Sequence, residues 1–208
     1  LAFIYTDAEI GAKPLADALK LATKRTFNRV VVDGDMSTND IALCTATGSA
    51  GKVNVKEFSA ALEECCRSLA MQIAADGEGA SKLLEVTVTG APKEDAAEKV
   101  ARTIIESPLV KTAVYGEDPN WGRVVAAAGR AGVKFDPNAV SLWISDGNVK
   151  YPLVKSGEII ADLKNAKAVM HGKKVIFILD LAAGKAEATA WGCDLTEKYV
   201  EINGRYTT

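Results

Sequence analysis

Apolar residues recur along this chain in two periods, one near 3.6 residues and one of two, and the switches between them predict interleaved helices and strands. Leu1-Ala2-Phe3-Ile4-Tyr5-Thr6-Asp7 opens as a strand. A helix follows from Pro14, carrying Leu15, Leu19 and Ala22 on one face, with Lys20, Lys24 and Arg25 on other faces or towards its end near Asn28. Val30 to Val32 is a short buried strand, and Asp33 to Asp40, mostly acidic, hydroxyl and amide residues, is a loop by composition. Ile41 to Thr47 returns as a strand closed by Gly48 to Gly51. The longest helix is expected from Val55 to Ala75, packing on a sheet through Phe58, Leu62, Cys65, Leu69 and Ile73. Asp76-Gly77-Glu78-Gly79-Ala80-Ser81-Lys82 ends it. Leu84 to Thr89 then alternates, Val86 and Val88 against Glu85, Thr87 and Thr89, as a half-buried strand does.

Gly90-Ala91-Pro92 leads into a second amphipathic helix, Lys93 to Glu106, whose core face is Ala97, Val100, Ala101, Ile104 and Ile105; Pro108 stops it. Leu109 to Tyr115 reads as a strand and Val124 to Ala131 as a buried helix, separated by Asp118-Pro119-Asn120 with Asn120 as N-cap. Beyond Gly132 the texture turns to β. Val140 to Ile144 and Val149 to Tyr151 flank Asp146-Gly147, a hairpin signal, and Lys174 to Leu181 with Ala186 to Trp191 form a second hairpin. Asp194 to Ile202 is a short helix capped by Asp194, followed by a polar tail, Asn203 to Thr208. This interleaving predicts an α+β fold, a layered sandwich of mixed sheets and helices rather than a purely parallel sheet. Two parts are expected, a larger α/β part over 1–132 and a smaller β-rich part over 133–208, or else a single domain.

At 208 residues and 48% apolar, the chain can bury a core and is not disordered. Its 25 basic and 27 acidic residues are mixed, with no basic stripe or basic amphipathic face, so neither nucleic acid nor a membrane is an expected partner. No run approaches the roughly 18 apolar residues of a membrane span. The start at Leu1 lacks both a methionine and a positive leader, so the chain reads as a processed piece whose targeting signal, if any, lies elsewhere. Cys44, Cys65, Cys66 and Cys193 show no CxxC and no disulfide framework, which points to buried reduced thiols and a cytoplasmic protein. His171, the only histidine, excludes multi-histidine metal sites within the chain and, beside Gly172, reads as a turn residue.

The stretch from Tyr115 to Arg123 is polar and turn-forming between two apolar runs, which is where a site would sit. Glu117 is placed at the carboxyl end of the expected strand, just before a helix, a common location for a binding carboxylate. An ordinary surface pair of Glu117 with Arg123 around a tight turn fits the spacing as well. Gly77 to Lys82 is not a phosphate loop, because no Gly-Lys-Ser/Thr follows; an anion-binding backbone nest and a structural turn both remain open. Neither a dinucleotide GxGxxG nor a GxSxG elbow occurs. Asp33, Asp35 and Asp40 offer oxygens to a hard cation or bond locally to their own backbone.

Several segments together resemble a known family. They are Leu1-Ala2-Phe3-Ile4-x-Thr6-Asp7-Ala8, Thr26-Phe27-Asn28, Val32-Asp33-Gly34-Asp35-x-Ser37-Thr38-Asn39-Asp40, Asp76 to Lys82, Ser107 to Ala113, Gly116 to Arg123, and Tyr199-Val200-x-Ile202-Asn203-x-x-Tyr206-x-Thr208. In this order they resemble, over essentially the whole chain, the β chain of ornithine acetyltransferase, the bifunctional glutamate N-acetyltransferase of arginine biosynthesis. The resemblance implies an N-terminal-nucleophile-like fold and a precursor that cleaves itself into α and β chains. It implies transfer of an acetyl group from N-acetylornithine to glutamate through an acetyl-threonine intermediate. In the family that threonine stands just ahead of Leu-Ala-Phe, so no residue of 1–208 is assigned as the nucleophile. Substrate-binding positions carry over to Glu117, Asn203 and Thr208, which without the resemblance read as a turn carboxylate, a helix C-cap and a chain terminus. No cofactor or metal is implied, with acetyl-CoA as a further co-substrate. The implied partners are the α chain and a second copy in an (αβ)2 assembly. Two other readings stand beside this one: an N-terminal-nucleophile amidase or aminopeptidase, and a non-catalytic structural fragment.

Overall fold

Alternation at the start of the chain folds as strand β1, Ala2–Glu9, with Ile4 turned inward and Phe3 and Tyr5 exposed. It is followed by helix α1, Ala12–Arg25, strand β2, Val30–Val31, strand β3, Ala42–Lys52, and helix α2, Val55–Ala75. The computed structural model describes residues 1–160 and 163–206 and divides into two units, residues 1–29 with 35–72, and residues 30–34 with 73–208. Residues 132 and 133, where the sequence suggests a boundary, both lie inside the second unit.

In the first unit β1 and β3 pair in parallel, Ala2 opposite Ala42 through Thr6 opposite Ala46, before a bulge shifts the register to Ala8 opposite Gly51. Ala18 and Ala22 of α1 and Leu62 and Cys66 of α2 pack with Ile4, Leu19, Phe27, Cys44 and Phe58. The boundaries of α2 are those the periodicity predicts, but its buried stripe differs. Leu62, Cys66, Ala70 and Ala74 are buried, whereas Cys65 and Ile73 are exposed. Small residues at i, i+4 spacing let the helix approach closely, and packing overrides the bulkier stripe. All four cysteines are free thiols, as expected, yet only Cys66 and Cys193 are buried; burial pushes the Cys66 thiol up to about 11.

The second unit adds β4, Leu83–Ala91, α3, Glu94–Ile105, α4, Pro108–Tyr115, and α5, Trp121–Gly129. Then come β5, Ser141–Ser145, β6, Lys150–Lys155, β7, Glu158–Ile159, α6, Leu163–Met170, β8, Lys174–Asp180, β9, Ala186–Cys193, and α7, Glu197–Arg205. Its seven-stranded sheet runs β2-β9-β4-β8-β5-β6-β7 and is mixed, with β2 parallel to β9 and β4 parallel to β8. The other neighbours are antiparallel, including the Asp146-Gly147 hairpin of β5 and β6. The expected α+β fold of mixed sheets and helices is therefore present.

Burial explains the register of β4. Leu84, Val86 and Val88 are fully buried, each contributing about 1.5–3 kcal/mol, with Ala97, Val100, Ala101, Ile104 and Ile105 of α3 in the same core. On the opposite face Thr87 meets Thr189 at 2.9 Å and Glu85 accepts from Trp191 Nε1 at 3.2 Å, cross-strand pairs worth about 0.2–1 kcal/mol each. The apolar face decides the pairing.

Two expectations fail here. The strands β8 and β9 form, but not as a hairpin, because β4 lies between them. Val175, Ile176, Phe177 and Leu179 bury both faces of β8, so it is a central strand whose two edges are taken by β4 and β5. The connection instead crosses the end of β4, where Leu181 N donates to Thr89 O and Ala183 N to Gly90 O. Leu109 to Tyr115 is likewise no strand but most of α4. Pro108 starts that helix at its first turn, where a missing N–H costs nothing, and Val110, Ala113 and Val114 are buried at i, i+3 and i+4.

Candidate functional site

The loop after α2 fastens the site together. Gly79 has φ +70, and a Cβ there would lie 2.5 Å from Tyr199 N and 2.8 Å from Lys198 C, so only glycine lets the loop abut α7. Thr196 Oγ1 donates to Gly79 O at 2.7 Å and accepts from Lys198 N at 3.1 Å, which makes Thr196 the N-cap of α7. Asp194, expected as that cap, is buried instead. Its Oδ1 accepts from Ser81 N at 2.8 Å and Lys82 N at 3.0 Å, and Ser81 Oγ donates to its other oxygen. Of the two readings of this loop, the turn is the one seen: the successive amides that would form an anion nest are occupied by the chain's own carboxylate.

Asp194 thereby aims Lys82. The Lys82 side chain is buried, and its Nζ donates to Glu117 Oε1 at 2.8 Å and to Met170 O at the carboxyl end of α6. A cation there also meets the negative end of the helix dipole. His171, next in the chain, places Nδ1 against Glu117 Oε2. Its side chain is 59% exposed against 33% for Glu117 and 9% for Lys82, so the cluster grades from anchored to free. The hydrogen bond from Lys82 holds the Glu117 carboxyl below its usual range, against the opposing effect of desolvation and with help from the charges of Lys82 and His171.

Glu117 follows a helix rather than a strand. Gly116 N donates to Thr112 O and Asp118 N to Ala113 O, closing α4, and Glu117 itself has φ +58, a conformation a non-glycine residue adopts at a cost. Asn120 caps α5 as expected, accepting from Arg123 N at 3.1 Å. Arg123 does not pair with Glu117; its Nη1 donates to Leu109 O at 2.9 Å.

Asn203 lies inside α7, not at its end, and its Nδ2 donates to Glu78 Oε2 at 2.6 Å and to Tyr199 O at 3.1 Å. Glu78 and Lys82 belong to one loop, so that loop connects Asn203 with Glu117. Tyr199 also reaches Asp33, its hydroxyl 3.1 Å from Oδ2. Thr208, the third expected binding residue, lies outside the described residues. Among the described residues no group of three His, Cys, Asp or Glu side chains is placed to hold a metal ion.

Beneath this cluster Lys111 is buried on α4, its Nζ donating to Val32 O at 2.7 Å and Cys193 O at 2.6 Å, with Cys193 Sγ at 3.8 Å. Desolvation lowers its pKa from the ordinary 10.5, and the neighbouring Cys193, Asp194 and Asp33 oppose that shift. Sequence reasoning passed over Lys82, Lys111, Asp194 and His171 as site residues. Only the lysine closing a glycine-rich loop and the single histidine gave any signal.

Fold and site together define an α+β protein with a polar cluster of loop and helix ends, centred on a carboxylate that a buried lysine holds in place. The chain belongs to the ArgJ family, which it matches from residue 1 to residue 208. It is 50% identical to a glutamate N-acetyltransferase of Methanosarcina mazei, over 100% of this chain and 54% of that protein. It is 49% identical to an arginine biosynthesis bifunctional protein ArgJ of Symbiobacterium thermophilum, over 100% of this chain and 53% of that one. The chain thus spans about half the length of the curated relatives it matches. The crystal structure of an arginine biosynthesis bifunctional protein ArgJ from Bacillus halodurans superposes with a TM-score of 0.92 at 41% identity, covering 99% of both chains.

Proposed function

We propose that this chain is the β part of a self-cleaved acetyltransferase that moves an acetyl group from N-acetylornithine to glutamate. Family membership over residues 1–208, with relatives named glutamate N-acetyltransferase, is the observation that carries the reading. The nucleophile is a threonine ahead of Leu1, activated by its own neutral N-terminal amine, whose pKa near ~8 suits it to act as base without histidine. Its hydroxyl oxygen attacks the acetyl carbonyl while the amine takes the proton. The tetrahedral intermediate collapses, the C–N bond breaks, and ornithine leaves with that proton. The α-amine of glutamate then attacks the acetyl-threonine, giving N-acetylglutamate and restoring the hydroxyl. Oxyanion donors come from a Thr-Gly pair of the α part.

Within this chain Glu117 pairs with a substrate ammonium, and Asn203 and Thr208 hydrogen-bond the amino-acid end. Glu117 is suited to this because Lys82 fixes one oxygen and leaves the other towards the exposed His171. The complete enzyme works in the cytoplasm as (αβ)2, with acetyl-CoA as an additional donor. Among the described residues no helix is long and apolar enough to cross a membrane. Expression of the full precursor, intact-mass measurement of its chains and assay of acetyl transfer between the two amino acids test this reading. Two chains split ahead of Leu1 with exchange of label between ornithine and glutamate pools are expected; hydrolysis alone would favour an amidase, and an uncleaved inert protein a structural fragment.

A further inference from the structure

We propose, building on the transferase reading, that Glu117 and His171 form one paired receptor for the side-chain ends of both substrates, Glu117 taking the donor's ammonium and His171 hydrogen-bonding the acceptor's carboxylate. The side-chain nitrogen of ornithine and the side-chain oxygens of glutamate lie the same number of bonds from Cα. A site that grips the shared α-carbon groups therefore brings opposite charges to one place in the two half-reactions. A single fixed charge would favour one ligand and repel the other. An anion and a hydrogen-bond donor must both be available at that point.

The structure offers both in contact. His171 Nδ1 rests on Glu117 Oε2, so each satisfies the other when no ligand is bound. Lys82 is buried and tied to Met170 O, so it keeps Glu117 Oε1 in either half-reaction and offsets the carboxylate's charge. The imidazole is the exposed member of the three and the one able to swing away. An arriving ammonium takes Oε2 and displaces His171. An arriving carboxylate instead receives the imidazole N–H, while Lys82 prevents Glu117 from repelling it. His171 is thus a specificity residue for the acceptor, and Lys82 a positioning residue acting through Glu117.

Steady-state kinetics of the complete two-chain enzyme, with donor and acceptor varied separately, test this. His171→Ala is expected to raise KM for glutamate about tenfold without raising KM for N-acetylornithine, and His171→Lys to restore the glutamate KM. Glu117→Gln is expected to do the reverse, raising the donor KM. Parallel shifts of both KM values in His171→Ala, or no shift in either, would overturn the proposal, since a merely structural histidine does not separate them. If the wild-type enzyme transfers no acetyl group between these substrates, the transferase reading fails by itself. Calorimetric titration with ornithine and with glutamate then decides the pair: loss of glutamate affinity alone in His171→Ala upholds it, and loss of both or neither removes it.

Discussion

Lys82 Nζ stands 2.8 Å from Glu117 Oε1 although β4, α3 and α4 separate the two residues in the chain. The lysine is buried and has a second acceptor in Met170 O, whereas the carboxylate is a third exposed. Lys82 therefore sets the position and Glu117 presents it.

Glu117→Gln keeps the shape and an acceptor for Lys82 but removes the charge. In the complete enzyme kcat/KM for the donor is expected to fall about 10²-fold, the scale of losing a charge-assisted contact. The folded carboxyl titrates below the ordinary 4.5, so its stabilising contribution is present above that value and is lost as pH falls through the lower folded value. Wild type should hence lose its small melting-temperature advantage over Glu117→Gln on acidification below about pH 4.5, and thermal melts from neutral to acid pH measure this. A difference independent of pH would mean that the Lys82 contact does not stabilise the ionised form.

Asp194→Ala leaves the amides of Ser81 and Lys82 without their acceptor inside the protein. At about 1–3 kcal/mol for each of the two stranded groups, a loss of ~2–6 kcal/mol in urea unfolding is expected. Asp194→Asn keeps Oδ1 for both amides and should cost less than half as much. Transfer should fall further in the alanine variant, because Lys82 is then no longer aimed. Equal stabilities for the two variants would show that the carboxylate is not what locks the loop.

Sequence alone disclosed those elements whose burial is written in their own period. Helices α2 and α3, strand β4 and the β5–β6 hairpin were legible because each carries its alternation, cap or turn within itself. The misread α4 is short, rich in β-branched residues, and begins with a proline that also suits the stop of the preceding helix. The β8–β9 pairing was lost for a different reason: an earlier strand occupies the place between them, a tertiary fact with no local trace. The site divides in the same way. Glu117 stood out by its place in a polar turn between apolar runs as well as by the family motifs, and Asn203 by the motifs alone, while Lys82, Asp194 and His171 acquire meaning only from partners in distant segments. A lysine ending a glycine-rich turn reads as a surface residue until the fold buries it.

Lys111 gives a pH test of the same sign at the alkaline end, with a different cause. Its amine is desolvated between Val32 O and Cys193 O, so the folded pKa lies below the ordinary 10.5 of the unfolded chain. Between those two values the unfolded state holds more protons, and stability attributable to Lys111 rises with pH. Lys111→Met does not titrate and strands two carbonyls, which should cost about 1–3 kcal/mol net at neutral pH. The gap between wild type and Lys111→Met in urea unfolding is therefore expected to widen as pH climbs towards about 10.5. A constant gap would mean that burial does not shift the amine.

Gly79 tests whether the loop controls Asn203 through α7. Alanine at this position adopts an unfavourable left-handed backbone, costing about 1–2 kcal/mol, and its Cβ would press on Tyr199 N and Lys198 C. Those are backbone atoms of a helix start pinned by Thr196, so α7 rather than a side chain must give way. Movement of α7 carries Asn203 away from Glu78, which sits in the same loop as Gly79. Gly79→Ala should therefore lower transfer as well as stability, and most of that lost activity should pass through Asn203. A double-mutant cycle resolves this: with Asn203 already replaced by alanine, adding Gly79→Ala is expected to reduce kcat/KM only slightly further. Full multiplication of the two losses would place the effect of Gly79 elsewhere, in the aim of Lys82 at the other end of the loop.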